Sequence, residues 1–118
     1  MQPLGVHHVS VNVPDVPKSL RFYTEVLGLT QRSDRPDFGF DGAWLNAGDQ
    51  QVHLIAATTP PDMGQHLALE VRDMHDIVKE LRSEGVEVTE PVVVAGGLQS
   101  FLHDPDGNFI ELYQPAGV

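Results

Sequence analysis

The sequence predicts an α+β fold in which two βαβββ modules share one domain. Three observations predict it: the length, the hydrophobic periodicity and an internal repeat. The chain has 118 residues, the size of one ordinary domain and enough to bury roughly two-thirds of the surface its unfolded form exposes. Segments alternating with period two are interleaved with segments at helical spacing. The order of the first half then recurs in the second at an offset of 58 positions, as from His8 to His66. The domain is expected to span 1–118, with module one over about 5–57 and module two over about 65–114.

Residues 6–13 alternate as a strand, with His7, Val9, Val11 and Val13 on one face and Val6, His8, Ser10 and Asn12 on the other. Pro14-Asp15-Val16-Pro17 breaks it, and Asp15 is placed to cap a helix over roughly 16–27, whose stripe is Val16, Leu20, Tyr23 and Leu27 and whose stop is Gly28. A short strand is predicted over 29–33. Strands over 42–46 and 50–57 follow, joined through Gly48-Asp49 as a hairpin. Loop chemistry over 58–64 divides the chain. Beyond it, 66–71 alternates as a strand, and Asp73 is placed to cap a helix over roughly 74–83 with stripe Met74, Ile77, Val78 and Leu81. Gly85 ends that helix, and strands are predicted at 86–89, 98–103 and 108–114.

The repeat survives comparison position by position. Val11 meets Leu69, Val13 meets Val71, Asp15 meets Asp73 and Leu20 meets Val78. Near the far end, Val52 meets Ile110, His53 meets Glu111 and Leu54 meets Leu112. Matched strand, cap, stripe and hairpin at one offset favour two copies of one supersecondary unit.

Composition narrows the function classes. Seven Lys and Arg stand against 17 Asp and Glu, a net charge of −10. That disfavours nucleic acid and anionic membranes, both of which are bound through cations. No cysteine is present, so disulfides, thiolate metal sites and a cysteine nucleophile are excluded. No apolar run is long enough to span a membrane. The first residues lack the blocks of a signal peptide, so a cytoplasmic location is expected.

Six histidines are present, and four side chains stand apart by position: His8, His53, His66 and Glu111. His8 and His66 occupy equivalent places on the first strand of each module, and His53 and Glu111 equivalent places on the last. Parity sets each on the face away from the helix-packed core: Val52 and Leu54 flank His53, Ile110 and Leu112 flank Glu111, and Leu67 follows His66. A lone histidine is more often a hydrogen-bonded structural residue than a ligand. Four repeat-equivalent donors on one face instead suggest a metal site, and imidazole with carboxylate suits Zn, Ni, Co, Fe or Mn. His7 is expected to pack on the core side and His75 to lie on an exposed helix face. His103, next to a turn, lines the mouth of the cleft or is simply solvated.

Three motifs carry a family resemblance: His7-His8-Val9-Ser10-Val11-Asn12-Val13; Phe22-Tyr23-Thr24-Glu25-Val26-Leu27-Gly28-Leu29; and residues 101–112, from Phe101 through Asp104-Pro105-Asp106-Gly107-Asn108 to Glu111-Leu112. Across essentially its whole length the chain resembles the vicinal oxygen chelate superfamily, which includes glyoxalase I, methylmalonyl-CoA epimerase, extradiol dioxygenases, and fosfomycin- and bleomycin-resistance proteins. The resemblance implies a glyoxalase-like fold with U-shaped sheets, usually completed as a homodimer, with sites shared across subunits in many members. The family's first-strand ligand falls on His8, its fifth-strand ligand on His66 and its final-strand carboxylate on Glu111. The fourth-strand position, glutamate in glyoxalase I, falls on His53. This departure removes one of two carboxylates and leaves Glu111 to serve as ligand and base.

The resemblance implies a divalent-metal-dependent enzyme, a glyoxalase-like lyase or isomerase that acts on a small oxygenated molecule through metal-assisted stabilisation of an enolate or enediolate. An extradiol-type dioxygenase is an alternative, because His8, His66 and Glu111 also supply two histidines and one carboxylate for iron. An alternative of another class is a metal-free, drug-binding protein of the bleomycin-resistance kind, although such proteins generally lack this ligand set. Around the expected cleft Ser10, Trp44, Gln99, Phe101 and Tyr113 are candidates for substrate contact, with Phe38 and Phe40 nearby; core or dimer packing explains the aromatics equally well. No Lys or Arg follows Arg82, which disfavours polyanionic substrates and leaves a small, mostly neutral or aromatic one.

Overall fold

The computed structural model describes residues 1–118 and divides into two compact units, Met1–Pro60 and Pro61–Val118. The first runs β1 (His8–Val13), α1 (Val16–Arg21), β2 (Thr30–Gln31), β3 (Gly42–Ala47) and β4 (Gln50–Ala56). Its sheet has the order β1-β4-β3-β2, with β1 parallel to β4 and the other pairs antiparallel. A parallel pair requires a crossover, and α1 belongs to it. Asp15 caps α1 by accepting a hydrogen bond from the Lys18 amide at 3.2 Å.

The helix expected through residue 27 changes winding instead: Phe22–Val26 is a π-helical turn, and the Leu27 amide bonds back to the Phe22 carbonyl at 3.1 Å. The Thr24 hydroxyl donates to the Leu20 carbonyl at 2.7 Å, a side-chain bond of the kind that perturbs a helix ladder. Gly28, at φ +76°, ends the element. Val13, Tyr23 and Leu45 are fully enclosed, with Val16, Val52 and Leu54 nearly so. Each such side chain contributes about 1.5–3 kcal/mol when removed from water.

The second unit repeats the plan with β5 (His66–Glu70), α2 (Met74–Ser83), β6 (Val92–Val94), β7 (Gly97–His103) and β8 (Phe109–Gln114). The sheet order is β5-β8-β7-β6, with β5 parallel to β8. Met74, Val78 and Leu81 of α2 are buried, as are Leu102, Ile110 and Leu112 of the sheet. No helix is long and apolar enough to cross a membrane.

Three local expectations are corrected. The strand predicted at 86–89 forms instead at Val92–Val94 and turns into β7 through Ala95-Gly96, both at positive φ (50° and 76°). Such a turn suits the twist of a hairpin, but alanine conceals it from the sequence. Thr89 still reaches β7: its hydroxyl accepts from the Phe101 amide at 2.9 Å, and its amide donates to the Phe101 carbonyl at 3.0 Å. Asp73 occupies the cap position of α2 in a left-handed conformation, φ 58°, and makes no side-chain cap bond. The Gln114 side chain caps there, accepting from the Met74 amide at 2.9 Å. His7 is exposed, not packed, because the core covers β1 only from Val11 onward and leaves residues 7–10 exposed; its Nδ1 lies 2.9 Å from His8 Nδ1.

Candidate functional site

Strand register decides which side chains meet. In the first unit His53 on β4 pairs across with Ser10 on β1 and Trp44 on β3, while His8 pairs with Gln51. His8 therefore reaches His53 diagonally, over the gap that long side chains bridge on a sheet face. In the second unit Glu111 on β8 pairs with Ala68 on β5 and Phe101 on β7, while His66 pairs with Phe109. His66 thus reaches Glu111 along the same diagonal. The two pairs are repeat copies of one arrangement, and their chemistry differs.

His8 and His53 stack face to face, ring centres 3.9 Å apart and planes within 13°, and Trp44 stacks on His53 at 4.6 Å. In-plane lone pairs on parallel rings do not converge on one point, so in this arrangement the pair is a π stack. His53 Nε2 lies 2.8 Å from Gln51 Oε1, and an amide oxygen only accepts, so Nε2 carries the hydrogen. His53 is buried, at 7% exposure, although it faces away from the helix. Burial first, then the positive charge that His8, His7, Arg32 and Arg35 can carry, holds its pKa below the ordinary histidine value. The ring row continues from Trp44 to Phe38 (6.1 Å) and Phe40 (5.6 Å from Phe38), with the Arg35 guanidinium 5.1 Å from the Phe38 ring centre.

His66 and Glu111 make a polar contact, Nε2 to Oε1, of 3.1 Å. The other ring nitrogen, Nδ1, lies 2.8 Å from the Gly64 carbonyl oxygen. That oxygen can only accept, so Nδ1 must carry a hydrogen. A neutral His66 then has its lone pair on Nε2, facing a carboxylate oxygen. Two acceptors at this distance repel each other unless a positive charge joins them, either a proton on Nε2 or a metal ion. An imidazole whose second nitrogen is engaged by a backbone carbonyl is the usual arrangement of a metal-ligating histidine. The nitrogen and oxygen donors here are of the types that a divalent ion takes. Within neither unit do three or more His, Asp and Glu side chains gather into a metal-holding group.

The residues expected at the substrate fall as follows. Ser10 and Trp44 flank His53 in one cross-strand row. Phe101 lies beside Glu111 and edge-on to His66, ring centres 5.8 Å apart. Gln99 pairs with Tyr113 on the same face, but the Tyr113 hydroxyl donates to the Val94 carbonyl at 2.8 Å and secures the β6–β7 hairpin. The sequence reading overlooked Asp62, whose Oδ2 lies 3.0 Å from His103 Nε2. The parity of His103 with Phe101 on β7 was the signal for that neighbourhood, but no periodicity marks Asp62 within a loop.

Two βαβββ units, one carrying His with His and the other His with Glu, define a protein of the paired-module class. Residues 5–112 match the Glyoxalase/Bleomycin resistance protein/Dioxygenase superfamily, and the chain belongs to that superfamily. Among curated relatives, Glyoxylase I 4 of Arabidopsis thaliana is 32% identical over 120 residues, covering 92% of this chain and 69% of that protein. The lactoylglutathione lyase of Salmonella typhimurium is 31% identical over 121 residues, covering 91% and 90%. Some relatives are longer: this chain spans 43% of a second Arabidopsis protein, also named a lactoylglutathione lyase. Among solved structures, TnmS3, an antibiotic binding protein from Streptomyces sp. CB03234, superposes with a TM-score of 0.84 at 30% identity, covering 98% of this chain and 99% of that one.

Proposed function

We propose that the protein is a divalent-metal-dependent enzyme of the glyoxalase type, a lyase or isomerase acting on a small oxygenated molecule. The observation that carries this reading is the His66–Glu111 pair, an imidazole nitrogen and a carboxylate oxygen 3.1 Å apart. Lactoylglutathione lyases among the relatives support it. In this reading His66 and Glu111 are two of the ion's ligands. The ion, one of Zn, Ni, Co, Fe or Mn, supplies Lewis-acid polarisation of adjacent substrate oxygens.

Glu111 is the only carboxylate in the proposed set and moves the substrate proton. Its side chain is 13% exposed, sheltered enough to hold a bound molecule's proton away from bulk water. On the sheet that carries Glu111, Phe101 provides flat apolar contact and Gln99 a hydrogen-bonding group. The strands β5–β8 carry no Lys or Arg, so this sheet offers no fixed positive charge to a polyanion. The functional form is proposed to be a homodimer, on the superfamily resemblance.

A second reading is a metal-free binding protein for flat aromatic molecules. The Trp44–Phe38–Phe40 row and the likeness to the antibiotic binding protein TnmS3 favour it. One experiment separates the two: metal analysis of protein purified without chelator, then reloaded with Ni or Zn, on wild type and His66→Ala, with turnover of hemithioacetals and catechols. Stoichiometric metal that the variant loses, together with turnover, supports the enzyme. Failure of the wild type to take up either metal sinks it, and quenching of Trp44 emission by aromatic ligands in metal-free protein then favours binding.

A further inference from the structure

We propose that Asp62 and His103 form a clamp that sets the Gly64 carbonyl against His66 Nδ1 and so turns His66 Nε2 toward Glu111. Both are positioning residues, since neither touches the proposed ion or substrate. The clamp concerns the metal-free geometry of the second unit; only its consequence for metal affinity rests on the function proposed above.

The connections run in sequence. Asp62 Oδ2 lies 3.0 Å from His103 Nε2 on β7, and Asp62 Oδ1 accepts from the Gly64 amide at 3.1 Å. One carboxylate therefore ties the 61–65 loop to the sheet and shapes the loop around Gly64. Gly64 stands at φ +96°, a conformation available to glycine at little cost and to other residues with strain. In that conformation its carbonyl receives His66 Nδ1 at 2.8 Å. Gln65 folds the loop upon itself, accepting from the Met63 amide at 3.1 Å and donating to the Pro61 carbonyl at 2.8 Å. These bonds hold the loop's shape but provide no tie to β7.

Register explains why a histidine two strands away is within reach. Phe109 on β8 pairs with His66 on one side and with His103 on the other. Its ring stacks on His103 at 4.9 Å with planes 10° apart and contacts His66 at 5.6 Å. Phe109 is thus the spacer that brings both histidines to one face. His103 and the Gly64 amide together hold the Asp62 carboxyl below the usual carboxylate range, as expected for an acceptor engaged by two donors. In a metal site, partners of this kind fix tautomer and ring orientation.

The test is long-range proton–nitrogen NMR of the His66 ring in metal-free protein, at one fixed pH, for wild type, His103→Ala, His103→Gln and Asp62→Ala. The expected wild-type pattern is a hydrogen held on Nδ1 by the Gly64 carbonyl. In His103→Ala and Asp62→Ala that Nδ1 hydrogen bond is expected to be lost. His103→Gln, whose amide can still donate to Asp62, is expected to keep the wild-type pattern. Zn affinity should fall roughly 10- to 100-fold in the two alanine variants and not in the glutamine variant. A wild-type ring with no hydrogen on Nδ1, or an unchanged ring in both alanine variants, overturns the clamp. Asp62 and His103 are exposed, so each alanine variant gives an independent reading should the other fail to fold. A wild type that binds no Zn yet shows the expected ring pattern removes the metal-enzyme reading and leaves the clamp standing. Intact Zn binding with a ring pattern unaltered in both alanine variants does the reverse.

Discussion

Nε2 of His66 lies 3.1 Å from Oε1 of Glu111, and the two side chains meet diagonally across the parallel β5–β8 pair. The same diagonal joins His8 to His53 across β1 and β4. The repeat therefore duplicates backbone geometry while side-chain identity divides the roles: one copy is an aromatic stack, the other an imidazole beside a carboxylate. Only the second sets a carboxylate against an imidazole nitrogen, and for that reason Glu111 carries the first prediction.

Glu111→Gln retains an oxygen acceptor but cannot take a proton. If Glu111 is the base, kcat with a hemithioacetal substrate should fall by about 10²- to 10⁴-fold while the protein stays folded. Steady-state kinetics beside circular dichroism measure this, and near wild-type kcat would remove Glu111 from that role.

His53 should titrate below the ordinary histidine value of about 6.5, because burial and neighbouring positive charge disfavour its protonation. The folded pKa is the lower one, so the unfolded chain binds more protons between the two values. This contribution to stability is therefore present above about pH 6.5 and is lost as pH falls through the folded pKa. Trp44, the sole tryptophan, stacks on His53 and serves as the probe. In metal-free protein its emission should fall on acidification with a midpoint below 6.5, and His53→Gln should abolish that step. A midpoint above 6.5 would contradict the stacked, buried geometry.

Gly97→Ala should be among the most damaging small substitutions. An added methyl would overlap the Gln114 carbonyl and press on the Tyr113 hydroxyl, which anchors the β6–β7 hairpin. Overpacking of this kind costs about 1–3 kcal/mol and occasionally more, and backbone on one side leaves little room to relax. Urea unfolding measures the loss; a change under 0.5 kcal/mol, roughly the level of ordinary surface substitutions, would show that the sheet gives way easily.

The two helix starts should respond differently to one substitution. Asp15→Ala removes a cap bond to the Lys18 amide and should cost about 1 kcal/mol. Asp73→Ala removes no such bond. Asp73→Gly should be neutral or stabilising, since Asp73 sits at φ 58°, where glycine is relaxed. Thermal melts of the three variants decide the matter, and equal losses at Asp15 and Asp73 would refute the assignment of Gln114 as the second cap.

Much of the fold is legible in the sequence because period-two and helical patterns are local. Val52 and Leu54 against His53, or Ile110 and Leu112 against Glu111, fix which face each side chain takes. What escaped notice lacks such a pattern. The β6 strand hides behind a turn whose first residue is alanine at positive φ. The π-helical turn at Phe22–Val26 leaves the apolar spacing of a helix in place. Asp62 lies in a loop, where no alternation marks direction.

The 118 residues and seven basic side chains of the chain, with its six histidines, by themselves determine the paired modules, the outward face of the four donors, and the absence of any cation after Arg82. Tertiary structure alone decides what those donors do, because ring orientation and tautomer depend on neighbours distant in sequence. His53 is stacked between His8 and Trp44, whereas His66 is held between Gly64 and Glu111. Strand pairing sets these contacts: a shift of one residue in register would turn every one of these side chains to the other face of its sheet.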